Sequence, residues 1–205
     1  MDRSTQKENY VSIQADVLMD WRQLSAHDIE TVVDTFPERS AAIGICSEIE
    51  YNKEQLAPAV RKIKKDHPEI ASWLGVLQKT VESLATQISI QRNTQSGLST
   101  RRVSISASGI EFNTTRHCEI GDKIEIVLTL QPSYTNIMIV GDVVTVTALE
   151  APTDSDTSTH CVKIDFSLIR DSDQEVLIRH IHRAQLAELR NARENRQEKC
   201  DSSLN

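Results

Sequence analysis

The sequence is poor in the residues that build loop-rich or cross-linked proteins. Its 205 residues include six glycines, five prolines and four cysteines, and aromatic side chains make up 4%. So few turn formers and rings predict regular elements packed through aliphatic side chains. The cysteines, Cys46, Cys118, Cys161 and Cys200, show no CxxC spacing, which argues against a disulfide framework and for a reducing, cytoplasmic setting. No apolar run is long enough to cross a bilayer and no apolar N-terminal signal segment is present, so neither membrane insertion nor export is expected. A net charge of −7, from 23 basic and 30 acidic residues, disfavours general DNA or RNA binding, because phosphates would be repelled.

Enzyme signatures are missing as well. There is no phosphate-binding loop with its Lys-Ser/Thr, no GxSxG and no HExxH, and no catalytic residue or metal ligand is assigned. His180 and His182, two apart on a helix, face different sides. His117-Cys118 and His160-Cys161 repeat the same dipeptide on extended segments. One member of each pair can meet across strands, but such a pair more often packs than binds metal.

What is present divides the chain by periodicity. Residues 1–22 show no clear period and a polar start, so they read as a partly ordered segment. Helical patterns occupy 23–92. Ser25, with Asp28 three residues on, caps a helix carrying Ile29, Val32, Val33 and Phe36, which Pro37 is expected to stop. A small-residue stretch follows, then a helix from about 52 to 65 that contains Pro58. Asp66, Pro68 and Glu69 signal a new start. The helix expected over 68–90 carries Ile70, Leu74, Leu77, Val81, Leu84 and Ile88 at alternating spacings of four and three, a heptad seam able to face its own chain or a second copy. After a polar linker at 93–97 the period becomes two. Strands are expected at 100–105, 109–113, 122–130, 137–148 and 159–166, with 152–158 an exposed loop, building an antiparallel sheet or small barrel over 98–170. A helix opened by a Ser172–Glu175 capping box spans 171–199 and outlasts its apolar stripe, leaving a tail at 200–205. The class is α+β: a small antiparallel β-barrel with an N-terminal helical region and a long C-terminal helix.

The segment richest in chemistry is Arg101-Arg102-Val103-Ser104-Ile105-Ser106-Ala107-Ser108-Gly109. Between Ile88 and Cys118 lie Arg92, Arg101, Arg102 and Arg116 against Glu111 alone, giving 4 − 1 = +3 in an acidic chain. Arginine forks suit phosphate, and serine hydroxyls and turn amides can donate to an anion. A plain hairpin needs the same small residues and the same glycine.

At these residues the sequence resembles the PilZ domains, bacterial receptors for cyclic di-GMP. Ser104-x-Ser106-x-x-Gly109 is similar to their (D/N)xSxxG turn, and Ile120-Gly121-Asp122, the strand through Ile139 to Val144, and Val162 to Phe166 follow in the order of the PilZ barrel. The stretches 68–88 and 175–181 resemble a subgroup that flanks the barrel with oligomerising helices. The resemblance implies a non-enzymatic signalling effector without a cofactor, binding cyclic di-GMP through Arg101, Arg102, Ser104, Ser106, Gly109 and Arg92. It also implies a homo-oligomer with an unidentified protein partner. Two departures stand out: no RxxxR precedes the turn, and Ser104 replaces the acidic or amide residue that contacts guanine. They leave open a scaffold of the same fold that works through its helices without nucleotide.

Overall fold

The structure, a computed structural model, describes residues 12–95, 98–131, 133–149 and 160–202. Its elements run β1 (Ile13–Gln23), α1 (Ala26–Ile43), α2 (Ile45–Asp66), α3 (Pro68–Gln95), β2 (Ser99–Ile105), β3 (Gly109–Thr114), β4 (Lys123–Leu130), β5 (Thr135–Ala148), β6 (His160–Ile169) and α4 (Asp171–Ser202). The strands are antiparallel and close a barrel in the order β1-β2-β3-β6-β5-β4. The expected α+β class and barrel are observed.

Side chains of alternating position fill the barrel, among them Ile105, Ile110, Ile124, Ile126, Leu128, Ile137, Ile139 and Ile164, and α4 joins this core through Val176, Leu177 and Ile181. A second cluster lies outside it, where Leu24 and the α1 residues Val32 and Phe36 cover Met138 and Val140 on the other face of β5. Covered on both faces, the first half of β5 reads as a continuous apolar run rather than an alternating one.

Several expectations are corrected. The described part of the N-terminal segment, from residue 12 on, does not stand apart from the barrel: β1 is one of its six strands, paired with both β2 and β4. Ile13, Val17, Met19 and Trp21 point inward with period two, and the half-buried Leu18 on the opposite face masks the alternation in the sequence. Pro37 does not stop α1, nor does Pro58 delay α2, which begins at Ile45 immediately after Gly44. Both prolines lie on exposed faces, where water can take the carbonyl each one frees, while the buried stripe of Val32, Phe36 and Ser40 holds α1 in one piece. Asp66 ends α2 instead of capping α3, and the helical signal of α3 extends through Gln95. Ser172 opens no capping box, because Asp171 is already helical, and α4 continues to Ser202. The Ser25–Asp28 box does form at the start of α1. The stretches 1–9, 96–97, 152–158 and 203–205 lie outside the described residues.

Two ionic contacts fix the helices to the barrel. Glu125 on β4 accepts a fork from Arg22 (3.1 and 3.2 Å) and another from Arg39 of α1 (2.7 and 2.9 Å). Burial opposes the charge, but the two forks outweigh it and hold the carboxyl below its usual range. Arg170, following β6, donates to the Gly44 carbonyl between α1 and α2 and to the fully buried Asp173 of α4. There burial dominates and pushes the Asp173 carboxyl up despite Arg170.

Candidate functional site

Ser106 makes the turn between β2 and β3. Its hydroxyl accepts from the amides of Gly109 (3.1 Å) and Ser108 (3.3 Å) and donates to the Gly109 carbonyl (3.2 Å), and its own amide reaches that carbonyl at 2.9 Å. The Ser106 hydroxyl and the amides of Ser108 and Gly109 are thus engaged in closing the turn. Gly109 is required by packing: a Cβ there would lie 2.7 Å from the Ile164 carbonyl of β6. Gly141 on β5 meets the same stretch of β6 from the other side, at 2.7 Å from the Asp165 carbonyl, so β6 is gripped between two glycine-bearing strands.

Beside the turn an open groove of about 620 Å³ crosses the outer barrel wall, lined by Gln14 of β1, residues 99–102 and Ser104 of β2, Glu111, Phe112 and Asn113 of β3, and Cys161 of β6. Strand register builds it. Gln14 pairs with Ser104, Ser104 with Glu111, and Asn113 with Cys161. Arg102 projects outward opposite Asp16, whereas Arg101 has the parity of the buried Val103 and donates to the Asn113 carbonyl at 3.3 Å. Cys161 donates to Glu111 at 3.3 Å. Burial first, and then that carboxylate, pushes the thiol up to about 11.

Of the six residues named from sequence, the groove gathers Arg101, Arg102 and Ser104. Ser106 and Gly109 shape the neighbouring turn. Arg92 lies on α3 and donates to the Ala42 carbonyl at 2.6 Å, tying α3 to the end of α1. Arg116 stacks on Trp21 and donates to its carbonyl. The basic surplus is therefore dispersed, and Glu111 lies inside the groove with the two arginines. Gln14, Asn113 and Cys161 were missed; the alternation of Ile13, Ala15, Val17, Met19 and Trp21 is the signal that could have placed Gln14. His117 and His160 do meet, edge to face at 6.1 Å, and among the described residues no group of three His, Cys, Asp or Glu is placed to hold a metal. A second cavity, about 520 Å³, lies between α2, α3, α4 and the β4–β5 turn. Lys53 pairs with Glu82 and Arg183 with Glu50 along its wall.

The largest uncovered feature is α3, which packs on α2 as an antiparallel hairpin through the rungs Cys46–Ser89 and Lys53–Glu82. The residues it shelters are mostly small, Ala71, Gly75, Gln78, Glu82, Ala85 and Ser89, and they form a heptad stripe of their own. The large heptad residues Ile70, Leu74, Leu77, Val81, Leu84 and Ile88 lie one step round the helix and are 40–54% exposed, with Leu77 at 56%.

No family model and no curated protein matches the sequence. Among solved structures the chain is similar to a tetrameric PilZ domain from Xanthomonas campestris described as self-assembled via an unusual helical bundle, at TM-score 0.52 and 13% identity over 89% of this chain and 91% of that one. Smaller parts resemble the PilZ domain of YcgR from Escherichia coli with c-di-GMP (TM-score 0.34, 16% identity, 48% of this chain and 79% of that one). An inhibitor of motility from Bacillus subtilis is also similar (TM-score 0.36, 20% identity), with 44% of each chain covered. Among the described residues no helix is long and apolar enough to cross a membrane. With a six-stranded barrel, helices inserted after its first strand and a helix after its last, the chain has the PilZ fold in a helix-flanked form.

Proposed function

We propose that this protein is a non-enzymatic regulatory module of the PilZ type that works as a homo-oligomer joined through α3. The observation that carries the reading is the exposed heptad seam. Six large aliphatic residues face solvent along one helix, while the small stripe beside them is already occupied by α2, so a second copy is the natural cover. The self-assembly described for the Xanthomonas protein supports the same use of such helices. Sedimentation should give an oligomer for the wild type and a monomer with unchanged far-UV dichroism for Leu77→Asp/Leu84→Asp. A monomeric wild type at micromolar concentration would overturn the reading.

A second reading, receptor for cyclic di-GMP, is favoured by the groove, where Arg101, Arg102 and Ser104 line a space of about 620 Å³. Against it stand the commitment of Ser106 to its turn, the distant engagement of Arg92 and the absence of an RxxxR before the turn. Calorimetry with cyclic di-GMP separates the two: heat that disappears in Arg101→Ala/Arg102→Ala supports the receptor, and no heat at high micromolar ligand retires it.

A further inference from the structure

The outer end of the α2–α3 hairpin carries more than a self-assembly seam requires. The two rungs are seven residues apart on each helix, and the last of them, Lys53–Glu82, leaves thirteen residues of α2 before its end at Asp66. That outer arm reaches about 20 Å beyond the rung. Continuing the antiparallel count places Lys62 level with Trp73 and Lys65 level with Ile70. Arg61, Lys62, Lys64 and Lys65 are all exposed, and among the described residues none of them is held in an ion pair.

Lysines in a last helical turn complement the helix dipole, which accounts for Lys64 and Lys65 but not for Arg61 and Lys62 one turn earlier. On α3, Trp73 and Val76 flank the seam. They are 72% and 57% exposed, and Trp73 is the most exposed large apolar side chain among the described residues. Further along α3 the same flank turns polar, with Thr80, Ser83 and Gln87. An indole and a branched aliphatic group therefore coincide with four free cations only at the hairpin tip. Cations draw a helix to an anionic lipid surface, and an indole settles among the headgroups, with no need to span the bilayer.

We propose that the hairpin tip docks on anionic lipid headgroups, Arg61, Lys62, Lys64 and Lys65 meeting the phosphates and Trp73 and Val76 entering the interface. The full-length protein should sediment with phosphatidylcholine vesicles containing phosphatidylglycerol, and this binding should fall with salt. It should not sediment with phosphatidylcholine alone. Lys62→Gln/Lys65→Gln should lower the partition about 30-fold, and Trp73→Ala should weaken it while keeping the salt dependence. The same two variants run without vesicles should retain the wild-type mass, so loss of docking is distinguishable from loss of assembly. Equal binding to neutral vesicles, no binding to either, or anionic binding unaffected by the lysine pair would overturn the proposal. So would a double-stranded DNA oligonucleotide competing the protein off the vesicles through the same lysines.

Discussion

Cys161 shows how far a single residue's behaviour depends on its neighbours. Its thiol lines the groove but is half-buried and shares its proton with Glu111, and its pKa of about 11 leaves almost no thiolate at neutral pH. Glu111→Gln removes the acceptor charge but not the burial. We therefore expect labelling of the Cys161 peptide by iodoacetamide, followed by mass spectrometry, to quicken several-fold. An unchanged rate would mean that burial alone sets the reactivity. None of this was legible in the sequence, because Glu111 and Cys161 are fifty positions apart and meet only through the β3–β6 register. Ser106 and Gly109 were legible as a turn. The sequence did not disclose that Ser106 spends its hydroxyl on that turn, since a serine in a turn looks the same whether its donors point inward or toward a ligand.

Among the elements, α1 depends most on one contact. Its apolar side is short, Val32 and Phe36 against β5, and the fork from Arg39 to Glu125, a carboxylate that Arg22 of β1 also grips, holds it down on the barrel wall. Glu125 has a folded pKa below its unfolded value, so the stability it adds is present above the ordinary carboxylate range and is lost as pH falls through the folded pKa. Replacing it with Gln should cost about 2 kcal/mol at neutral pH, the figure being tempered by the exposure of both arginines. In urea titrations at fixed protein concentration, the gap between wild type and Glu125→Gln should narrow as pH is lowered through the carboxylate range. A gap independent of pH would show that the forks contribute shape and not charge. Five of the six strands, the α1 cap and the heptad of α3 could be read from periodicity alone. In β1 the same alternation is present but Leu18 on the opposite face masks it, and α1 runs past Pro37 because the cover of Val32, Phe36 and Ser40 outweighs one lost hydrogen bond.

At the scale of the molecule, the acidic total conceals an uneven layout. Acidic residues neutralise arginines where helices meet the barrel, as Glu125 and Asp173 do, and where α2 meets α4, as Glu50 does, while unpaired lysines collect at the far end of the hairpin. Assembly through α3 would couple stability to concentration, since each copy covers apolar surface of another. The wild-type melting temperature should then rise with protein concentration, and that of Leu77→Asp/Leu84→Asp should not. A concentration-independent wild type would count against the seam as an interface.

The position of β1 has a further consequence for how the barrel is made. Seventy-five residues separate Gln23 from Ser99, yet β1 and β2 are neighbours, so the whole of α1 to α3 is an excursion inside what would otherwise be one hairpin. Closing so long a loop carries a large entropic cost before any ladder bond returns it. During synthesis β1 emerges first with neither partner made, and β4, its second neighbour, begins only at Lys123. The first strand synthesised is thus the one that must wait longest, and the helical arm, with its own local contacts, has time to form before the wall of the barrel can close.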